Sequence, residues 1–283
     1  MSETSTQQQS SDNNGSAPPI KYEYEILSED YTNFDLSFKL IVIGDSGVGK
    51  SCLTNNAIKN VFDEAYNATV GFEFFTFNVK MCEKVIKLQI WDTCGQELYR
   101  SLITNFYRNS SLAIMVYAIN SKESFENIEM WLRELRTHSN PDAKVFLIGN
   151  KADLENEREI TKEQGETYSK QNKLNCFMEA SAKTGLNAQN IFLKAAEILF
   201  DDYNKYQGKL KDENDEEGNN ENNKEEKREK EKELKLYNIS MKQEEDYLKQ
   251  YEKKQNIDKI ERINQYKNEK NVHKYKQLQL KKQ

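Results

Sequence analysis

The run Gly44-Asp45-Ser46-Gly47-Val48-Gly49-Lys50-Ser51 constrains the fold of this chain more than any other part of it. It fits G-x-x-x-x-G-K-[ST]. Just before it stands Phe38-Lys39-Leu40-Ile41-Val42-Ile43, a short apolar run that reads as a buried strand, and a helix is expected to start at Gly49. Strand, glycine loop and helix in that order form a nest. The glycines let the main chain curl so that successive N–H groups converge on phosphate oxygens, and the helix N-terminus adds partial positive charge. Asp45, Ser46, Gly47, Val48, Gly49, Lys50, Ser51 and Cys52 would line the phosphates. Lys50 would bridge the β- and γ-phosphates as a point charge, and the Ser51 hydroxyl would ligate Mg²⁺.

Beyond the loop, strand and helix patterns alternate. Residues 73–81 and 85–92, separated by Cys82-Glu83-Lys84, read as a hairpin, and residues 112–119, 144–149 and 176–180 as further buried strands. Helical patterns fall near residues 97–107, 124–136, 161–171 and 188–202. This order predicts an α/β fold with a six-stranded, mostly parallel sheet and helices on both faces. Ligands of such sheets bind beyond the carboxyl ends of the strands.

Two more polar motifs stand at strand ends. Asn150-Lys151-Ala152-Asp153 follows residues 144–149, and Ser181-Ala182-Lys183 follows residues 176–180. The Asp153 carboxylate can accept two N–H donors at once, from N1 and the 2-amino group of guanine. Adenine presents an acceptor at N1 and no 2-amino group, so the same carboxylate rejects it. A main-chain N–H of Ser181-Ala182-Lys183 would reach the guanine carbonyl oxygen. The expected ligand is therefore GTP or GDP.

Composition limits what the rest of the chain does. Hydrophobic residues make up 36% of 283, below the roughly 45–50% of globular domains, and the shortfall lies at the two ends. Residues 1–37, rich in Ser, Thr, Gln and Asn with Pro18-Pro19 as a stiff break, read as a disordered extension. Within them Tyr22, Tyr24, Ile26 and Leu27 offer a surface contact that nothing in the pattern demands. Residues 38–206 form the folded domain, 207–233 a charged disordered linker, and 234–283 a Lys/Gln-rich, partly helical tail. A heptad frame from Leu234 puts Asn238, Met241, Glu245, Leu248, Glu252, Gln255, Lys259 and Arg262 on the seam, which is too polar for a coiled coil.

A net charge of −6 gives no reason to expect nucleic acid as a partner. No apolar stretch is long enough to span a bilayer, and Met1–Ser10 lacks the apolar centre of a signal peptide, so a cytoplasmic chain is expected. Cys52, Cys82, Cys94 and Cys176 are scattered and read as free thiols. With no C-x-x-C pair, and with His138 and His273 far from any cysteine, a zinc site is not expected.

The order of these motifs, from GDSGVGKS through Thr69, Asp92-Thr93-Cys94-Gly95-Gln96 and NKAD to SAK, resembles the Ras-superfamily small GTPases over residues 38–203 or so. Several stretches are similar to Rab proteins in particular: Val70-Gly71-Phe72-Glu73-Phe74, Lys87-Leu88-Gln89-Ile90-Trp91, Arg100-Ser101-Leu102-Ile103 and Phe106-Tyr107-Arg108-Asn109-Ser110. Val116-Tyr117-Ala118-Ile119-Asn120 is closer to Ras, since Rabs usually carry Asp where Ala118 stands.

The resemblance implies further roles. Thr69 would ligate Mg²⁺ and hold the γ-phosphate through its N–H. Phe62 would stack on the guanine and Tyr66 cover the phosphates. Asp92 would hold Mg²⁺ through water, the Gly95 N–H would sense the γ-phosphate, and Gln96 would orient the attacking water as the catalytic residue. Cys94 stands where Ala is usual and reads as a packing substitute. No arginine of the chain is assigned to the transition state, so hydrolysis is expected to be slow. A GTPase-activating protein and a guanine nucleotide exchange factor would set the cycle. Phe74, Trp91 and Phe106 match an aromatic cluster that Rabs present to effectors.

The implied protein is a monomeric molecular switch in vesicle traffic. Two alternatives are a nucleotide-locked pseudo-GTPase and a scaffold whose tail binds partners. Rabs normally end in prenylated cysteines, whereas the last cysteine here is Cys176 and Ser2 stands where myristoylation needs glycine. Membrane contact is thus expected to be weak or to run through partners, at most peripheral on endomembranes.

Overall fold

A computed structural model describes residues 18–63, 72–93 and 106–216 of the chain. In chain order the strands are β1 (Tyr24–Leu27), β2 (Leu36–Ile43), β3 (Phe72–Met81), β4 (Lys84–Thr93), β5 (Leu112–Ala118), β6 (Lys144–Asn150) and β7 (Cys176–Glu179). The helices are α1 (Lys50–Lys59), α2 (Lys122–Glu126), α3 (Ile128–His138), α4 (Lys162–Gln171) and α5 (Ala188–Glu216), with a 3-10 turn at Glu155–Glu157.

Among the described residues the strands form one sheet in the order β1-β3-β4-β2-β5-β6-β7. β2 runs parallel to β4 and β5, and β5, β6 and β7 continue in parallel. β3 and β4 are an antiparallel hairpin whose turn residues Cys82 and Glu83 both have positive φ, 47° and 62°. That pair of angles suits a two-residue hairpin turn, whose twist follows that of the strands. β5 is apolar throughout and buried at every position, as a central parallel strand covered on both faces must be.

One core packs α1 and α5 against Leu40, Val42, Ile114, Val116, Phe146 and Ile148. The other packs α3 against Ile41, Ile43, Ala113, Met115 and Leu147. The alternation along β2, Leu40 and Val42 to one side and Ile41 and Ile43 to the other, is the period-two rule at work. Strand order leaves β2 in opposite directions, so the loops after β2, β6 and β7 emerge on one rim. That is where a doubly wound sheet places its ligand.

The six expected strands are present, and a seventh joins them in a segment read above as disordered. β1 pairs antiparallel with β3 and forms the edge of the sheet, Tyr24 opposite Met81 and Leu27 opposite Asn78. The segment is held on both sides of that strand. The Lys21 N–H donates to Glu197 at 3.2 Å, the Tyr22 hydroxyl donates to Asp201, and the Tyr22 ring meets Phe200 edge-on at 5.5 Å. Asn78 Nδ2 donates to the carbonyls of Ser28 at 2.8 Å and Glu29 at 3.2 Å, and the Val85 N–H donates to the Asp35 carboxylate at 2.8 Å. Disorder over residues 18–37 is therefore corrected. An edge strand gains its stability from main-chain hydrogen bonds, which leave no apolar periodicity to read.

At the other end, α5 runs to Glu216, past the boundary at residue 206 and into the segment read as linker. Lys, Glu and Leu are good helix formers, and a helix satisfies its main chain internally without needing a buried face. The rest of that linker and the tail 234–283 lie outside the described residues. Among the described residues no helix is long and apolar enough to cross a membrane, and Cys52, Cys82 and Cys176 are free thiols.

Candidate functional site

The glycine loop leaves β2 between two close backbone approaches. At Gly44, φ is 140° and a Cβ would lie 2.2 Å from the Val116 carbonyl oxygen of β5. At Gly49, φ is 92° and a Cβ would lie 2.4 Å from Asn150 Nδ2. Neither position admits a side chain, so the loop can pass only as glycine. α1 then begins at Lys50 with no side-chain cap among the described residues, its N-cap being Gly49. α4 differs: Thr161 and Gln164 form a complete capping box. A helix start formed by a glycine with no side-chain cap is the arrangement that favours an anion.

Lys50 is buried, and its ammonium donates to the carbonyls of Gly44 and Asp45 at 2.8 Å each, so it lies folded over the loop. Asp45 turns its carboxylate away toward α3, accepting from Asn127 Nδ2 at 2.7 Å and Trp131 Nε1 at 2.8 Å. Its contribution to the nest is therefore main chain. Asn127 and Trp131 brace the loop from outside, and the sequence reading missed both.

Ser51 donates its hydroxyl hydrogen bond to Asp92 at the end of β4. Asp92 is fully buried, and its Oδ1 has no hydrogen-bond partner among the described residues. Burial pushes this carboxyl up to about 7, against the pull of Lys50 and the Ser51 hydrogen bond. A buried carboxylate with one oxygen unpartnered, beside a serine hydroxyl, fits a hard divalent cation bound through oxygen. Cys52 is half-buried next to this pair. Burial first, and then the Asp92 charge, raise its thiol above the usual range.

The base-side motifs meet the phosphate loop through one side chain. Asn150 is fully buried and donates from Nδ2 to the Val48 carbonyl at 2.8 Å. Its Oδ1 accepts the Ala182 N–H at 3.1 Å. Asn150 thus joins the loops after β2, β6 and β7. Beyond it, the Ala152 N–H donates to the Ala180 carbonyl at 3.0 Å, and the Ser181 hydroxyl donates to Asp153. Ser181 Oγ also accepts the Thr184 N–H at 3.1 Å, which holds the turn that follows. Lys151 takes a left-handed φ of 66° between Asn150 and Ala152, and Lys183 is exposed at the rim.

Phe62 lies beyond α1, half-buried against the main core. Trp91 is buried under two partly exposed rings, Phe74 at 5.6 Å edge-on and Phe106 at 4.9 Å. Phe72 joins them, 4.7 Å from Phe106, and Lys39 sets its ammonium 4.6 Å from the Trp91 ring. Tyr66, Thr69, Cys94, Gly95 and Gln96 lie outside the described residues.

Comparison with known proteins agrees with this arrangement. Residues 39–201 match the model of the Ras family. Ras-related protein RABA1b of Arabidopsis thaliana is 43% identical over 167 residues, which are 59% of this chain and 76% of that protein. Ras-related protein SEC4 of Candida albicans is 41% identical over 167 residues, 59% of this chain and 79% of its own length. The matched span holds the glycine loop, the buried Asp92 and the Asn150 junction together, and the chain is accordingly a Rab-like member of the Ras family of small GTPases.

Proposed function

We propose that the protein is a guanine-nucleotide switch that hydrolyses GTP slowly on its own and regulates intracellular membrane traffic. The observation that carries this reading is the Asn150 junction: one buried amide ties the phosphate loop, through Val48, to the base loop, through Ala182. A ligand spanning both loops must carry phosphates at one end and a base at the other. The Asp153 carboxylate, held by Ser181, is the acceptor pair that selects guanine.

In this reading Lys50 neutralises the β- and γ-phosphates, and Ser51, Thr69 and Asp92 would hold Mg²⁺. Mg²⁺ when bound supplies countercharge to the phosphate oxygens. Gln96 orients the attacking water. Little covalent work falls to the protein, so positioning and charge dominate the rate. Thr69 and Gly95 anchor their loops on the γ-phosphate, and its loss releases both. Phe74 and Phe106, partly exposed over Trp91, form the surface that effectors read in the GTP state. An exchange factor and a GTPase-activating protein time the cycle, and location follows from the partners engaged.

Single-turnover phosphate release from purified full-length protein loaded with GTP tests the reading. Gln96→Leu is expected to slow release by at least about tenfold, within the usual reach of one catalytic group. Equal rates would remove Gln96 from its role, and equal retention of ATP would remove guanine selection.

A further inference from the structure

The base-side loops share one more connection, outside everything assigned so far. Arg158 donates from Nε to Glu155 Oε1 at 2.9 Å and from Nη2 to Glu155 Oε2 at 2.7 Å. It donates from Nη1 to Glu179 Oε1 at 2.6 Å and from Nη2 to Glu179 Oε2 at 3.0 Å. Nη1 also reaches the Ile160 carbonyl at 2.9 Å. These five bonds use all five N–H donors of a guanidinium.

Two carboxylates are thereby gripped by one planar fork. Glu155 follows Asp153 closely in the chain, and Glu179 shortly precedes Ser181. The Glu179 side is the firm one: Arg158 is 16% exposed and Glu179 11%, against 67% for Glu155. An exposed ion pair contributes little, whereas a desolvated bidentate pair holds its geometry. Residues 151–157 have no long helix or strand of their own, only the 3-10 turn Glu155–Glu157. Their register against the Ser181 loop therefore depends on the cross-links, of which Arg158 is the outermost.

We propose that Arg158 is a positioning residue for base recognition: anchored on Glu179 and on the Ile160 carbonyl, it ties the loop after β6 to the end of β7, holds Asp153 in register with the Ser181–Lys183 loop, and so sets discrimination for the guanine 2-amino group. This rests on the reading of Asp153 as the base acceptor. Receiving two N–H donors at once requires a carboxylate placed to within about 0.5 Å, which is what supporting hydrogen bonds supply. Lysine cannot substitute, because an ammonium has no fork to fill both carboxylates.

The test compares GDP with inosine diphosphate, which lacks only the 2-amino group, by measuring both dissociation constants on full-length protein with Mg²⁺. Wild type is expected to prefer GDP by roughly 10- to 100-fold, the usual weight of a hydrogen bond to a charged group. Asp153→Asn should bring the ratio close to unity. Arg158→Ala should lower it at least about threefold with inosine diphosphate binding little changed, and Arg158→Lys should fall short of restoring it. Where Arg158→Ala does not fold, Glu179→Gln takes its place, with the same fall in ratio expected. If the arginine variants weaken both nucleotides equally while Asp153→Asn abolishes the preference, the positioning role is overturned and the base-reading role stands. If Asp153→Asn leaves the ratio unchanged, the base-reading role falls and takes the Arg158 proposal with it.

Discussion

At the phosphate end of the site, Lys50 lies folded on the carbonyls of its own loop, and buried Asp92 keeps an oxygen with no partner among the described residues. At the base end, Asn150 uses both its amide nitrogen and its oxygen, Ser181 both donates and accepts, and Arg158 fills every donor it has. One end keeps a buried carboxyl oxygen that no described group partners, and the other is closed by hydrogen bonds of its own. A buried polar atom left unpartnered costs about 1–3 kcal/mol, which a ligand at the phosphate end would recover. The base end keeps its shape without one. On the proposed function, affinity and its control would belong to the phosphates and the cation, and selectivity to a framework already in place.

Lys50→Ala offers the hardest test of this contrast. GDP affinity is expected to fall roughly 10²- to 10³-fold, the usual penalty for truncating a buried charge partner, as read by titration with a fluorescent GDP analogue. Unchanged affinity would break the comparison at its stronger end. Asp92→Asn should weaken Mg²⁺ binding by about 10- to 100-fold, the range for a group that acts on a metal through its shell. The Mg²⁺ concentration that half-protects bound GDP from release measures it.

Asn150→Ala sharpens the other half. It strips the Val48 carbonyl and the Ala182 N–H of a buried partner, so the nucleotide-free protein should lose about 1–3 kcal/mol in urea unfolding. A variant that lost GDP binding with no loss of stability would mean that the base end is not preformed. The smallest effect is expected far from the site. Tyr22→Ala should cost about 0.5–1.5 kcal/mol from the lost ring pair with Phe200, a few degrees in thermal unfolding, with GDP affinity unchanged.

The same contrast separates what could be read in advance from what could not. The glycine loop was legible because its function is written in local backbone requirements: glycine where φ is positive, lysine and serine at the helix start. NKAD and SAK were legible as polar motifs at strand ends, which the fold brings together through Asn150 with Ala182 and Asp153 with Ser181. The cross-links were not. Asp45 finds Asn127 and Trp131 across 82 and 86 residues, and Asn150 finds Val48 across 102. In the sequence Asn127 looks like a helix cap, yet its side chain makes no cap bond and is spent on Asp45 instead. Arg158 sits in a run of charges, Glu155-Asn156-Glu157-Arg158-Glu159, where any of several pairings reads equally well. β1 escaped notice for a different reason: Tyr-Glu-Ile-Leu is short, its neighbours are polar, and its pairing with β3 is made by main chain.

By itself, the sequence determined the succession of strands and helices, the glycine loop between β2 and α1, and the polar motifs at the ends of β6 and β7. Each of these follows from the periodicity of a few neighbouring residues or from the conformations that one residue type allows. Only the tertiary structure decided which distant side chains brace those loops, that a segment ahead of the main domain completes the sheet edge, and how far the last helix runs. Such choices turn on which groups meet when the chain closes, and pairing energies between residues a hundred positions apart leave no mark on the local pattern.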